Sequence, residues 1–485
     1  PYEWPNGVEA AAEPFGASVP QAMKDGRKDL RDLPLVTIDG ADARDFDDAV
    51  FARRQDKGWR LIVAIADVAS YVKPGSELDK EAVQRSTSVY FPGRVVPMLP
   101  EALSNGLCSL KPAEERLCLA CEMTIGDNGK VQRSRFVAAL MKSSARLTYD
   151  QVAEYYASGI LKHHDKLKGV KRNLDDLHGL YKALRGARER RGAIDFESTE
   201  YGFQFDQRGA VAGLVLRERN DAHKLIEECM ITANVEAARF LLQKQKPAPY
   251  RVHAPPPEAK LEAFAQFLRG QGLKVPWRDT PQPRDFENVV LQAQGRPDEH
   301  LVMAVMLRSQ SLAAYQPVNE GHFGLALKAY AHFTSPIRRY PDLLVHRAIH
   351  TLLQRGKAGD YPYSEDSMSE LCARCSHNSR RAEEAERDVI DRLKCAYLET
   401  RIGEEFTGMV SGVTSFGLFV ELDYGQISGL VHVTGLPNDY YHFDPVSHSM
   451  KGERTGRVFQ LADRVKVRVL AVNLDDRKID FELVG

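Results

Sequence analysis

Five aspartates fall within ten residues of this chain: Asp39, Asp42, Asp45, Asp47 and Asp48, in the segment TIDGADARDFDDAV. Apolar runs flank them, PLVTI before and AVFARR after, so strands formed on either side would force the carboxylates together. Gly40 permits a turn after Asp39, and Arg44 is the one basic residue among them. Like charges 4 Å apart repel by about 4 kcal/mol at an effective dielectric near 20 unless cations neutralise them. Hard oxygen ligands at this density suit magnesium or manganese, not zinc. Two such ions are a common means of in-line attack by water on a phosphodiester. A calcium EF-hand needs Gly at its sixth position and Glu at its twelfth, and no start among these aspartates supplies both. A solvated acidic loop is the other alternative, and Phe46 inside the segment argues against it.

Residues 1–33, rich in Pro, Gly and Ala, read as a leading linker with one short helix. Strand-like runs follow to roughly residue 140: PLVTI, DDAVFARR, WRLIVAIADV, RLCLACEMTI and VQRSRFVAAL, interrupted by a helix at 76–86. Residues 150–191 read as helix, and a hairpin is expected at 201–219, where FQFD and VAGLVL flank QRGA. From 220 to 400 apolar residues recur at helical spacing; past Arg401 short alternating strands with turn glycines indicate a small β-barrel. The expected fold class is α+β, a large mixed domain over 34–400 followed by the barrel over 403–485.

TSPIRRYPDLLVHR, residues 334–347, predicts a helix capped by Thr334 or Ser335 with Pro336 in its first turn. Arg338 and Arg339 would then stand near a helix N-terminus, a setting suited to a phosphate, though a surface helix with solvated arginines fits as well. Glu386, in RRAEEAERDVIDRL, shares a helical face with Val389, Ile390 and Leu393 and is expected to be buried with a partner. Its neighbour Glu383 is expected to pair with Arg387 at the surface.

Net charge is −1, from 66 Lys plus Arg against 67 Asp plus Glu, which argues weakly against a general nucleic-acid coat and leaves room for a local basic channel. Seven cysteines exclude a complete disulfide framework. Cys118 and Cys121 lie on a strand pattern that points them to opposite faces, and Cys372 with Cys375 finds no second pair, so structural cysteine is preferred to zinc. No apolar run is long enough for a bilayer and no signal-peptide pattern occurs, so a cytoplasmic location without membrane contact is expected. Pro1 in place of Met reads as a fragment or a processed product.

Together, TIDGADARDFDDAV, YAHFTSPIRRYPDLLVHR and AERDVIDRL resemble the ribonuclease II superfamily, most closely the bacterial branch that degrades structured RNA. The resemblance spans nearly the whole chain and implies a catalytic domain of RNB type, an OB-fold RNA-binding barrel over 403–485, and processive 3′-to-5′ hydrolysis to nucleoside 5′-monophosphates. It implies that Asp39, Asp45, Asp47 and Asp48 hold the metal, that Arg338 lies beside the scissile phosphate, and that Glu386 is its acidic neighbour. Catalysis is accordingly expected to involve Asp47, Arg338 and Glu386, with two magnesium ions as cofactor and manganese as the alternative. By the same matching, Tyr90 stacks on RNA near its 3′ end and Phe196 closes the other end of the base stack. Glu228 is a weaker candidate for a nucleotide contact, and Phe416, Phe419 and His432 match the barrel's base-stacking face. Read without the resemblance, Tyr90 and the two phenylalanines are ordinary strand or core residues. Family members carry cold-shock OB folds ahead of the catalytic domain, which these residues do not include, and Ala41 stands where the family often has an acid.

Periodicity adds one further expectation: Arg464, Lys466 and Arg468 share a strand face that would suit a single-strand groove. Residues 403–485 hold 8 Lys or Arg against 12 Asp or Glu, so any positive region there must be local. The expected partner is single-stranded or 3′-tailed RNA, bound by a monomer with no obligate protein partner. The rival readings are a non-catalytic RNA-binding scaffold and a metal-dependent phosphatase for small substrates, the second of which leaves the barrel unexplained.

Overall fold

The computed structural model describes residues 3–16, 18–161, 169–194, 200–354, 361–437, 439–444 and 449–484. The early strand signals fold into one seven-stranded sheet, in the order Lys28–Asp29, Val131–Lys142, Glu115–Ile125, Gly58–Ala66, Asp48–Gln55, Val36–Asp39 and Ala145–Thr148. Gly58–Ala66 and Glu115–Ile125 are buried along nearly their whole length, because both faces of the sheet are covered. Helix Val170–Arg191 packs on Asp48–Gln55, and helix Tyr340–Leu353 packs on Val131–Lys142. Gly58 makes the tight return between two central strands at φ +103°, where a Cβ would sit 1.9 Å from the Ile125 carbonyl oxygen.

The sheet delivers the aspartates where the sequence predicts. Asp39 ends the strand Val36–Asp39, which pairs in parallel with the edge strand Ala145–Thr148 so that Asp39 faces Thr148. Asp48 opens the neighbouring strand, opposite Ile65. Asn173, wholly buried on helix Val170–Arg191, locks this corner: it accepts from the Ala52 N–H at 2.8 Å and donates to the carbonyls of Pro34 at 2.8 Å and Val50 at 3.2 Å.

The stretch 150–191 divides where one helix was expected. Tyr149–Ser158 ends at Gly159 in the left-handed conformation (φ 72°), and Val170–Arg191 starts afresh. Residues 1–33 also do more than link, since Val8, Ala12, Val19 and Leu30 are buried in the main core and Lys28–Asp29 joins the sheet. The hairpin Glu200–Phe205 with Val211–Arg217 forms as the sequence indicates. All seven cysteines are free and buried, consistent with a structural role.

Helix Glu365–Glu399 joins the two halves of the molecule. Met368, Cys372 and Cys375 belong to the core of the large domain, while Cys395, Tyr397 and Leu398 belong to the core of the barrel. That barrel is closed by Glu405–Thr414, Gly417–Leu422, Ser428–His432, Lys478–Leu483 and Arg464–Asn473. The α+β expectation, a large mixed domain followed by a small OB-type barrel, is what the chain adopts. No helix among the described residues is long and apolar enough to cross a membrane.

Replacing Asn173 strands the buried Ala52 N–H and leaves a small cavity. Asn173→Ala is expected to destabilise the chain by about 2–4 kcal/mol in urea unfolding, without altering any group at the aspartate cluster.

Candidate active site

Three distant segments close on the aspartates. Asp47 is 4% exposed, and its Oδ1 accepts the backbone N–H of Ile337 at 2.9 Å, which ties the acidic motif to the arginine motif. Arg338 then stands with Nε 3.7 Å from Asp47 Oδ2, a charge contact too long for a hydrogen bond. The Arg338 carbonyl accepts from Ser88 N–H at 2.9 Å and from Thr87 Oγ1 at 3.2 Å, which brings in the short hairpin of strands Val89–Phe91 and Arg94–Val96. On that hairpin the Tyr90 hydroxyl donates to Asp45 Oδ2 at 2.7 Å, while the Tyr90 N–H donates to Glu386 Oε1 at 3.0 Å. The matched residues Asp39, Asp45, Asp47, Asp48, Tyr90, Arg338 and Glu386 therefore occupy one neighbourhood, although up to 341 positions separate Asp45 from Glu386 in the chain.

The electrostatics are those of carboxylates held together against their charge. Burial first, then the charge of Asp47, pushes the Asp39 carboxyl up to about 7, despite the opposing pull of Arg146. Burial and the neighbouring Asp39 push Asp48 up to about 8. Burial also holds Asp47 well above the usual carboxylate range, against the pull of Arg338 and the Ile337 N–H. Asp42 is exposed and takes no part. Arg146 braces the turn from behind, donating to the carbonyls of Gly40 at 2.7 Å and Ala41 at 2.6 Å.

Among the described residues no three His, Cys, Asp or Glu side chains already converge as a ligand set. Two buried oxygens, Asp39 Oδ2 and Asp47 Oδ2, nevertheless have no hydrogen-bond partner, which is a costly state for an acceptor. A divalent cation would satisfy both. Magnesium is usually held by one or two carboxylates, with water and substrate phosphates completing its octahedron, so a full protein cage is not required. The donor set fits such an ion.

Tyr149 is a neighbour that the sequence reading missed. Its ring stacks on His223 with centroids 3.8 Å apart, and burial with the charges of Asp48 and Asp39 pushes its hydroxyl well up. The signal lay in strand pairing: Thr148 faces Asp39 and caps the helix that Tyr149 begins.

Several expectations are corrected. The helix of the arginine motif begins at Tyr340, not at Pro336, with Arg339 as N-cap and Pro341 in its first turn. The reason is Asp342, wholly buried, which accepts the Ser335 N–H at 2.8 Å and pairs with Arg339 at 2.7 Å, holding 335–339 as a loop. Arg339 is thus a structural cation, and Arg338 alone faces the aspartates. Glu386 is half-buried where a buried face was expected, and Glu383 accepts from Ser379 Oγ at 3.3 Å, with no ion pair to Arg387. Glu228 is buried against Arg188 at 2.9 Å, which occupies it internally. Phe196 lies outside the described residues.

On the barrel, Phe416 is 47% exposed with its ring edge-on to Phe419 at 6.0 Å, and His432 is exposed. The expected basic face exists, but its charge is neutralised. Arg464 is bidentate on Asp423, Lys466 pairs with Glu405 at 2.7 Å, and Arg468 pairs with Glu405 at 2.7 Å and Glu482 at 3.2 Å. Each cation of that face is thus already paired with a carboxylate of the barrel.

Family models define the class. The RNB domain matches residues 27–355 and the S1 RNA binding domain matches residues 399–483, and the chain belongs to the RNB family. Among its relatives, Ribonuclease R of Vibrio parahaemolyticus is 50% identical over 498 aligned positions, covering 100% of this chain and 59% of that protein. The chain thus spans about three fifths of that relative's length. Mycoplasma genitalium RNase R in complex with ribose-methylated single-stranded RNA superposes with a TM-score of 0.95 at 29% identity, over 100% of this chain and 76% of that one. Yeast Ssd1, a pseudonuclease, shares the fold at a TM-score of 0.70 and 19% identity, over 89% of this chain and 53% of that one.

Protons on Asp39 and Asp48 carry a stability signature. Between 3.8 and the raised values of about 7 and about 8, the folded state binds more protons than the unfolded state, so these groups lose stability as pH rises through that window. In chelator, melting is expected to shift downward from pH ~5 to ~8.5, and millimolar Mg²⁺ or Mn²⁺ should recover more at the higher pH. An equal rise in Tm at both pH values would contradict the shared cation site.

Proposed function

We propose that this chain is a magnesium-dependent 3′-to-5′ exoribonuclease, processive on single-stranded or 3′-tailed RNA, releasing nucleoside 5′-monophosphates and a short end product. The observation that carries the reading is the pair of buried, unpartnered oxygens Asp39 Oδ2 and Asp47 Oδ2, with Arg338 3.7 Å from the second, in a chain of the RNB family. Asp39, Asp45, Asp47 and Asp48 would hold the magnesium ions. Bound there, magnesium would supply charge neutralisation and an activated water for in-line attack on the phosphodiester.

The remaining groups position the strand. Ile337 N–H fixes the rotamer of Asp47, so that its second oxygen stays aimed away from the backbone. Arg338, half-exposed and braced by Ser335 Oγ at 3.1 Å, would neutralise charge developing on the non-bridging phosphate oxygens. Glu386 holds the backbone of Tyr90, whose ring is 38% exposed and would stack on a base near the 3′ end. Support for RNA as the substrate class comes from the S1 match and from the RNA-bound relative. The rival reading, an RNA-binding scaffold with an inert site, draws on the shared fold of yeast Ssd1. All four aspartates and Arg338 are present here, which favours catalysis.

Asp47→Asn keeps the shape and removes the charge. Single-turnover cleavage is expected to fall by at least about 10²-fold with RNA affinity within a few-fold of the parent, and cleavage near the parental rate would overturn the assignment. Tyr90→Ala is expected to release RNA earlier and leave a longer limit product on a sequencing gel; an unchanged product would return Tyr90 to a structural role.

A further inference from the structure

Strand pairing sets three arginines in one row. Arg53 on Asp48–Gln55 lies opposite Arg60 on Gly58–Ala66, Arg60 opposite Thr124 on Glu115–Ile125, and Thr124 opposite Arg133 on Val131–Lys142. Partners in register share a face, so Arg53, Arg60, Thr124 and Arg133 cross four strands on one side of the sheet. The alternate residues of the last strand face the other way: Ser134 donates to Glu236 of helix Asp221–Lys244 at 2.7 Å, and Phe136 packs on Phe240 and Phe333. Arg133 and Arg135 therefore point away from that helix. Like charges directly opposite one another weaken a sheet, and little here offsets them. Arg53 Nε stands 3.4 Å from Asp176 Oδ2, with neither atom hydrogen-bonded. Among the described residues Arg60 has only Glu122, at 3.9 Å, and that buried carboxylate is already taken by Lys28 and by Arg135 at 2.9 Å. Arg133 is exposed and has no ion pair among the described residues. The stretches 53–60 and 124–135 together hold 7 Lys or Arg against 2 Asp, in a chain that balances 66 against 67. No large apolar side chain is exposed on these four strands, so the face offers a protein partner no hydrophobic anchor.

We infer that this row is a second RNA contact, on the opposite side of the sheet from the cleavage centre, which holds backbone phosphates far upstream of the 3′ end. The inference rests on the nuclease reading above. Asp48 and Arg53 are five residues apart on one strand, hence on opposite faces and about 17 Å apart along it. RNA held at the aspartates must run round the sheet to reach the row, so only long RNA can touch both. The row spans three strand gaps of about 4.8 Å, about 14 Å in all, the axial length of roughly four stacked nucleotides. Arginine forks match phosphate oxygens, and the Thr124 hydroxyl between Arg60 and Arg133 adds a further donor. A bound backbone would also relieve the repulsion between Arg53 and Arg60, which the sheet leaves uncompensated.

The test compares Arg60→Gln, Arg133→Gln and the double variant with the parent, using unstructured RNAs of five, fifteen and forty nucleotides. Binding is read without divalent cation across a salt series, and labelled polyglutamate is titrated beside the RNAs as the acidic-protein probe. A melting curve checks folding, and Arg133→Gln, at an exposed position, decides alone where the Arg60 variants melt early. On the forty-nucleotide RNA the double variant is expected to bind roughly tenfold more weakly, with a log–log salt slope shallower by about 1.4, or about 0.7 per contact. Arg133→Gln by itself should lose about half of that slope. The five-nucleotide RNA should keep its parental affinity and kcat/KM. A parental slope on the forty-nucleotide RNA would overturn the inference while leaving the nuclease reading intact. Equal losses on the five-nucleotide RNA would also sink it, by placing the effect at the cleavage centre. Polyglutamate bound by the parent and lost by the double variant, with RNA slopes unchanged, would assign the face to an acidic protein instead. A folded parent that neither binds nor cuts RNA would remove the functional reading and this contact with it.

Discussion

Asp47 is buried with one oxygen on the Ile337 N–H and the other without a hydrogen bond, 3.7 Å from Arg338 and close in sequence to Asp45 and Asp48. No chain gains stability from that arrangement alone, because burial and like charge both oppose ionisation. The surrounding fold supplies what the site lacks. Asn173 clamps the strand that Asp48 opens, and a buried cluster fixes the helix that follows Arg338: Arg347 donates to Asp79 Oδ1 and to the Val72 carbonyl, both at 2.7 Å, while the Tyr340 hydroxyl donates to Asp79 at 2.9 Å. Breaking one partner of such a buried pair typically costs about 3–5 kcal/mol, so the arginine loop is held by contacts that never touch a substrate.

The long helix Glu365–Glu399 gives the site its reach. It begins in the core of the large domain, meets the Tyr90 hairpin through Glu386, and ends inside the barrel core. One helix thus links the barrel to Tyr90, whose hydroxyl reaches Asp45. The barrel's basic strand is paired with Asp423, Glu405 and Glu482, while Phe416 stays 47% exposed with its ring edge-on to Phe419.

Much of this was legible in the sequence where a local pattern dictates the outcome. Strand-like apolar runs in WRLIVAIADV and RLCLACEMTI gave the central strands, and strand ends flanking an acidic turn gave the cluster itself. The terminal barrel followed from short alternating runs with glycine turns. What stayed hidden depended on partners far away in the chain. Pro336 reads locally as a first helical turn, but the buried carboxylate of Asp342 captures Ser335 and Arg339 and delays the helix to Tyr340. Strand periodicity put Arg464, Lys466 and Arg468 on one face correctly, and could not reveal that Glu405 on the adjacent strand lies opposite Arg468. Tyr149 escaped notice because only the parallel pairing of Asp39 with Thr148 brings it to the aspartates.

Burial and neighbouring like charge push the carboxyls of Asp39, Asp47 and Asp48 up, so that a divalent cation binding there displaces protons. Calorimetric titration of Mn²⁺ at neutral pH, repeated in buffers of different ionisation enthalpy, counts the protons released per ion bound. With Asp39 pushed to about 7 and Asp48 to about 8, binding should release on the order of one proton per chain or more, and Asp48→Asn should lower that number. Binding with no proton release, or release unchanged in Asp48→Asn, would contradict the account.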